Sequence, residues 1–344
     1  MIFMGAGKIN PYEVSRGIYE SNVDGLILSS LYTPSRVPDK DIVEDIKSSR
    51  IAIYTAFTGN YDQLKDPEVI DDNCDYICFT DNPDLKSDVW EIRPMEECSF
   101  DNNRKAKQYK VFPDRYLSDY DYSFWIDATF KIVGSIREYI YKYINSSMLV
   151  VVHPERDCIF QEAHSSVQFP RYSKYLIRKQ VEYYNEMGMP KNYGLPSLGV
   201  IFRKHSDPRI VDLMNQWWEE IINYTNQDQL SLTYLMWKND FHPSVAREFI
   251  WMNKYWTVDT DGFQHKQTID DYIVSQKIID KFNGNIKDSN EFTKSEILLI
   301  LNDLDSLQDQ ALGLNFIRNS LNDKIVDVKN STSWKITKKL RREG

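Results

Sequence analysis

Five short apolar runs recur between residues 51 and 202, and that rhythm limits the fold more than any other property of the chain. Ile51-Ala-Ile-Tyr-Thr-Ala-Phe57 stops at Thr58-Gly-Asn60, and Tyr76-Ile-Cys-Phe-Thr80 stops at Asp81-Asn-Pro83. Apolar runs of this length, closed by turn residues, predict buried strands. Tyr122–Ile126, Met148–Val152 and Gly199–Phe202 supply three more. Residues 102–117 and 208–223 read as helices. Strands separated by helices predict α/β layering, with ligands bound beyond the C-terminal ends of the strands.

Three zones follow. Residues 1–48, interrupted by Pro11, Pro34 and Pro38, form a preamble expected to pack on the main domain. Residues 49–270 carry the α/β pattern, and 271–344 form a helical extension. Within the extension Leu314, Ile317, Leu321, Ile325 and Val328 make a heptad-like stripe. It suits either a helix docked on its own domain or the seam of a homo-oligomer. The closing Ser333-Trp-Lys-Ile-Thr-Lys-Lys-Leu-Arg-Arg342 joins a Trp to clustered cations. An anionic membrane surface would attract it by roughly 1 kcal/mol per cation; a basic tail in solution is the alternative.

A formal charge of −9 gives no footprint for nucleic acid. No run of about 18 apolar residues occurs, so no membrane span is expected. Met1-Ile-Phe-Met-Gly5 lacks the charged and long apolar regions of a signal peptide. The expected location is the cytoplasm, peripheral on the inner face of the membrane where the tail engages it. Cys74, Cys78, Cys98 and Cys158 lack paired zinc-ligand spacing and read as free thiols.

The segment Trp125-Ile-Asp127-Ala128-Thr129 is the sharpest chemical signal. A carboxylate ending an apolar strand is costly unless it is solvated, paired or bound to a cation. At a sheet edge it can hold a divalent metal that neutralises a diphosphate, or simply cap the next turn. Upstream, Arg104, Lys107 and Lys110 recur at steps of three and share roughly one helix face, either a clamp for phosphates or a solvated basic surface. After the fourth run, His153, Arg156, Asp157 and Glu162 crowd one strand-end loop, offering a general base or ion-pair partners for Arg156. Asp228 and Gln229 open a helix, where Asp228 is either an N-cap or a contact for sugar hydroxyls. His265, in a loop after Trp251, Tyr255 and Trp256, is either a surface histidine or a further metal ligand.

Taken in order, these segments resemble a family of glycosyltransferase-like domains found in plant mucilage-related proteins and bacterial polysaccharide clusters. The matching text runs from Ile53-Tyr-Thr-Ala-Phe-Thr-Gly-Asn-Tyr-Asp62-Gln-Leu64 and Cys78-Phe-Thr-Asp81 through Asn103-Arg-Lys-Ala-Lys107 to Ser123-Phe-Trp-Ile-Asp127. It continues through His153-Pro-Glu-Arg-Asp157, Glu162-Ala163, Glu182-Tyr-Tyr184, Val200-Ile-Phe-Arg203-Lys-His205 and Asp228-Gln-Leu-Ser231. The same stretch is more distantly similar to the glycogenin and bacterial galactosyltransferase group. The resemblance implies a GT-A fold and hexose transfer from a nucleoside diphosphate sugar, with UDP as the expected nucleotide, to a saccharide or lipid-linked saccharide in capsule or O-antigen assembly. It implies that Thr55, Ala56, Phe57, Thr58, Tyr61 and Asp81 line the nucleoside site. Arg104 and Lys107 would face the diphosphate, and Asp127, Ala128 and Thr129 the metal–diphosphate. Asp228 and Gln229 would meet the donor sugar, with His153 and Glu162 near the acceptor. Asp127 and His265 would bind Mn²⁺ or Mg²⁺. The family pattern of Asp-X-Asp is here Asp127-Ala-Thr129, so its second carboxylate is missing. An acidic residue before the Gly of Pro196-Ser-Leu198-Gly199 is absent as well. The second departure implies a different acceptor, and the incomplete Asp-X-Asp pattern keeps open a catalytically inactive carbohydrate-binding or scaffold protein. A metal-dependent hydrolase using the same strand-end carboxylate would be a third class, but the chain has no P-loop or paired-Asp signature.

Overall fold

The apolar runs form strands. A computed structural model describes residues 11–35, 37–59, 61–98, 100–167 and 172–258. Helices α1 (Pro11–Leu26) and α2 (Lys40–Ser48) lead into β1 (Ile51–Phe57), β2 (Cys74–Thr80) and β3 (Glu91–Pro94). Next come α3 (Asn102–Val111), α4 (Pro113–Tyr116), β4 (Tyr122–Ile126), β5 (Phe130–Ile132), α5 (Ile136–Tyr143) and β6 (Met148–Val152). The rest is α6 (Ile159–Ser166), α7 (Lys174–Glu186), β7 (Pro196–Lys204), α8 (Pro208–Asn223), α9 (Asp228–Lys238), β8 (Ser244–Ala246) and β9 (Trp256–Val258).

Seven strands form one sheet in the order β3-β2-β1-β4-β7-β6-β8, and β5 pairs with β9 in a small second sheet. Neighbours in the large sheet are parallel except β7, which runs antiparallel to both β4 and β6. The chain steps from β1 outward to β3, then returns to place β4 on the other side of β1. That reversal makes the C-terminal ends of β1 and β4 the switch point of the sheet, where open α/β sheets bind ligands.

Both faces of the sheet are covered, which is why its strands read as unbroken apolar runs. Side chains alternate with a period of two. Ala52, Tyr54, Ala56 and Trp125 enter one core with α1, α3 and α6–α9. Ile51, Ile53, Phe57, Phe124 and Ile126 enter the other with α2, α5 and the small sheet. Tyr19, Val23, Leu31 and Tyr32 of the preamble belong to the first core, and the Leu31 amide donates to the Tyr193 carbonyl at 2.7 Å.

The helix expected over 102–117 is broken. Asp101 caps α3 by accepting from the Arg104 amide at 3.0 Å, and Pro113 starts a separate single turn. Proline disfavours the helical conformation of its predecessor, so Phe112 leaves the helix at φ −115°, ψ 58°. The strand expected at Gly199–Phe202 is longer, Pro196–Lys204. The heptad stripe, the basic tail and His265 lie outside the described residues.

Candidate functional site

At the end of β1 the chain turns through Thr58 and Gly59. Gly59 has φ +61°, a left-handed conformation that costs an L side chain about 1 kcal/mol. Its amide donates to both Asp81 oxygens, at 3.0 and 3.3 Å, so the ends of β1 and β2 are tied. The Thr58 hydroxyl donates to the Asn102 carbonyl at 3.0 Å, and the Tyr61 amide closes the turn on Thr58. Thr55, Ala56 and Phe57 lie within β1 and are buried. The parts of this segment at the sheet edge are therefore Thr58, Gly59, Tyr61 and Asp81.

Asp127 ends β4 one strand away. Its amide donates to the Gly199 carbonyl at 2.8 Å, and its carbonyl accepts from the Phe130 amide at 3.0 Å, forming a turn. Its Oδ1 accepts from the Trp125 indole at 2.7 Å and lies 3.8 Å from Lys110 Nζ. Oδ2 faces the bare Cα of Gly199, where a Cβ would come within 3.5 Å of it and 2.8 Å of the Phe130 ring. Among the described residues no hydrogen bond ends on Oδ2. The side chain keeps 41% of its surface open, yet protein surrounds it closely enough for desolvation to raise its carboxyl above the usual range against the pull of Lys110.

Asp228 is bound by two lysines. Lys107 and Lys110 approach the same oxygen at 2.7 and 2.9 Å, and the Lys110 and Asp228 side chains are nearly sealed from solvent. Desolvation alone would raise the Asp228 carboxyl, but the two ammonium groups together hold it well below the carboxylate range. For Lys110, desolvation is outweighed by Asp228 and Asp127, and it is raised. For Lys107, desolvation prevails and lowers it, with the like charge of Lys110 adding to the fall. Lys110 also lies 5.5 Å from the centre of the Trp125 ring.

Arg104 does not share this face. A step of three residues falls about 60° short of a full helical turn, so the cationic stripe rotates as it advances. The Arg104 guanidinium reaches Asp101 at 2.7 Å and the Ile221 and Tyr224 carbonyls at 3.2 and 3.3 Å. There it satisfies the carbonyls at the end of α8, where positive charge is favoured. The basic face expected from sequence is thus divided: Lys107 and Lys110 turn to Asp228, and Arg104 turns to α8.

The loop after β6 is a closed network. His153 Nδ1 accepts from the Glu155 and Arg156 amides, each at 3.1 Å, which leaves the proton on Nε2, 3.5 Å from Glu162. Burial, with Arg156 adding, lowers the His153 imidazole to about 3, so it is neutral. Glu162 accepts from Arg156 at 2.8 Å and Gln227 at 3.0 Å. Arg156 pairs with Glu162 and Glu155, and not with Asp157, among the contacts of the described residues.

Gln227, rather than Asp228, is the N-cap of α9, and its side chain caps no amide. Three consecutive residues here reach three elements. Gln227 binds Glu162 and Ser166 of α6, Asp228 binds α3, and Gln229 donates to the Pro196 carbonyl of β7 at 3.0 Å.

A carboxylate not singled out from the sequence also reaches this edge. Thr129 donates its hydroxyl to Asp62 Oδ2 at 3.2 Å, and Lys65 Nζ braces the same segment against the Ala128 and Thr129 carbonyls, each at 3.3 Å. Burial pushes the Asp62 carboxyl up to about 6; Lys65 opposes this and the negative charge of Asp127 adds to it. The signal available in sequence was the turn Gly59-Asn-Tyr-Asp62 itself, which delivers an acid just past a strand end.

A cavity of about 690 Å³ lies at the other end of β4 and β7, lined by Asp45, Tyr122, Lys204, Asp207, Arg209 and His242. Asp45 pairs with Lys204 and Asp207 with Arg209, and Asp41 and Asp240 line it as well, so it offers no surplus of positive charge to a phosphate. None of the described helices is long and apolar enough to cross a membrane.

No curated protein matches the chain. A family model described as TOD1/MUCI70, glycosyltransferase-like domain, matches residues 32–255, well over half of the length and all of the edge built from β1, β2 and β4. The chain therefore belongs to the TOD1/MUCI70 glycosyltransferase-like family.

Proposed function

We propose that this chain transfers a hexose from a nucleoside diphosphate sugar, with UDP as the nucleotide, to a saccharide hydroxyl. A glycosyltransferase-type function follows from the family; the donor and acceptor are our reading. The observation that carries it is the open carboxylate of Asp127 at the β1/β4 switch point, beside two lysines on a single aspartate. In the reaction the acceptor oxygen bonds to the anomeric carbon as the bond from that carbon to the β-phosphate oxygen breaks. UDP departs with the electron pair, and the acceptor proton passes to a base.

Thr58, Gly59, Tyr61 and Asp81 stand where the nucleoside would lie. Lys107 and Lys110 supply positive charge beside the departing diphosphate, preorganised by Asp228 and shielded from water, where such charge is most effective. The Asp127 carboxylate, whose side chain keeps 41% of its surface exposed, suits Mn²⁺ or Mg²⁺, which would neutralise the diphosphate. Among the described residues no three His, Cys, Asp or Glu side chains converge on one point. A seat of one or two carboxylates completed by phosphate oxygens is the usual arrangement for Mg²⁺ with nucleotides. Asp228, which reaches α3, and Gln229, which reaches β7, are assigned to the donor sugar, and His153 and Glu162 to the acceptor.

The basic, Trp-containing tail supports an acceptor carried on lipid at the cytoplasmic membrane, in assembly of a bacterial surface polysaccharide, and the heptad stripe supports a homo-oligomer. A second reading, a carbohydrate-binding protein without turnover, is favoured by Thr129 in place of a carboxylate.

UDP release across a panel of UDP-sugars, with and without Mn²⁺, separates the two. Turnover of at least one donor is expected, and Asp127→Asn should abolish it while Tm moves little, because Asn retains an acceptor for the Trp125 indole. Absence of both turnover and UDP binding would sink the enzyme reading.

A further inference from the structure

We infer that Arg203 is a positioning residue for this site: through the Lys110 carbonyl it sets where the Lys110 ammonium stands between Asp228 and Asp127. The inference rests on the donor reading above and deepens it. Arg203 belongs to the segment Val200-Ile-Phe-Arg203-Lys-His205, which takes no part in the donor or acceptor contacts. It is fully buried, its Nε has no hydrogen-bond partner, and among the described residues no carboxylate pairs with it. A guanidinium sealed in protein without a counter-charge costs stability rather than adding to it.

What Arg203 touches is the end of α3. Nη2 donates to the Lys110 carbonyl and, at 2.6 Å, to the Tyr54 hydroxyl, which itself donates to the same carbonyl at 3.2 Å. Nη1 lies 2.9 Å from Met214 Sδ, a weak acceptor. Because α3 ends at Val111 and Pro113 has no N–H, the last carbonyls of the helix need donors from outside it. A cation is favoured at that end of a helix. Three adjacent strands bring the donors together. Tyr54 of β1 lies opposite Trp125 of β4, and Ser123, two residues before Trp125, lies opposite Arg203 of β7. A period of two puts all four on the face that packs against Tyr109 and Val111 of α3.

Lys110 carries the effect into the site. Its carbonyl is held from β1 and β7. Its ammonium lies 2.9 Å from Asp228, 3.8 Å from Asp127 and 5.5 Å from the centre of the Trp125 ring. Lys110 thus bridges the two aspartates, and a shift of its backbone would move the charge that faces the diphosphate.

The test reads Lys110 directly, in the full chain. An ion-paired ammonium shielded from solvent exchanges slowly enough to give a ¹⁵N–H signal, assigned by its loss in Lys110→Met. Arg203→Met removes an uncompensated charge and leaves Tyr54 on the carbonyl, so Tm should change little while exchange of the Lys110 ammonium quickens several-fold. Where Arg203→Met does not fold, Tyr54→Phe decides, because it removes the other donor and should quicken the same exchange. Unchanged exchange in the variant that folds overturns the inference, as does a wild-type Lys110 ammonium that exchanges too fast to be seen.

Kinetics test the route. Arg203→Met should lower kcat with a UDP-sugar by about tenfold or more, as small misplacements do. In a Lys110→Met background it should cost less than about twofold, because the side chain it acts through is gone. Lys110→Met keeps its carbonyl, so a merely structural role would persist there, and losses that multiply overturn the inference. Wild-type turnover with unchanged Lys110 exchange overturns the positioning and leaves the donor reading standing. Quickened exchange in Arg203→Met, with neither turnover nor UDP binding in the wild type, supports the positioning and overturns the donor.

Discussion

Asp228 concentrates the electrostatics of the site in one side chain. Two cations meet one buried anion, so its removal strands both lysines in protein. Breaking a buried pair by deleting one partner typically costs about 3–5 kcal/mol. Asp228→Asn should therefore lower stability by that order in urea unfolding. Lys107→Met, which leaves one cation for one anion, should cost markedly less; equal losses would show that the lysines do not share Asp228 in solution. Of these residues the sequence displayed identities and approximate helical position, but not partnership. Arg104, Lys107 and Lys110 look equivalent at steps of three, and only the crossing of α3 by α8 separates them. Asp62 was illegible as a site residue for a related reason: its link to Thr129 is a tertiary contact, with no local periodicity to announce it.

At the scale of elements, β7 determines how the site is framed. Because it runs against its neighbours, its beginning rather than its end reaches the ligand edge, and Gly199 lies opposite Asp127. Gly199→Ala would place a methyl 2.8 Å from the Phe130 ring. Forced overpacking of this kind costs about 1–3 kcal/mol. Displacing Phe130 also shifts the turn that holds Asp127, so donor turnover should fall by about tenfold or more, a loss that small misplacements produce. Thermal unfolding and UDP release on the same sample check both; unchanged turnover would mean that Oδ2 needs no clearance. Strands β1, β4 and β6 were legible because burial on both faces makes them uniformly apolar. Strands β3, β5, β8 and β9, of three or four residues, carry too little pattern. The antiparallel direction of β7 leaves no trace in composition, and its polar ends, Ser197, Arg203 and Lys204, hid its full length.

For the molecule as a whole, buried neutral histidines set an acid limit. His153 is lowered to about 3 and His205 to about 4, both chiefly by desolvation. Below the ordinary value of 6.5 the unfolded chain takes up protons that the native one refuses. Stability is thus complete above that value and declines as pH falls, by about 1.4 kcal/mol per pH unit for each histidine. Asp62, raised to about 6, acts oppositely between 3.8 and 6, and offsets part of the loss. The urea midpoint should therefore be lower at pH 5 than at pH 7, and His153→Asn should flatten the dependence. A midpoint that does not change between these values would show that His153 is protonated in the native state.

The first turn of α9 has a consequence for how this chain can vary. Gln227, Asp228 and Gln229 address α6, α3 and β7 in strict succession. Sliding the register by one position would aim an amide at the two lysines and a carboxylate at Glu162 or at a carbonyl. Every such exchange is unfavourable at once, whereas a single substitution spoils one contact. Relatives that keep this arrangement should therefore differ in the letters of the turn between α8 and α9 while holding its length constant.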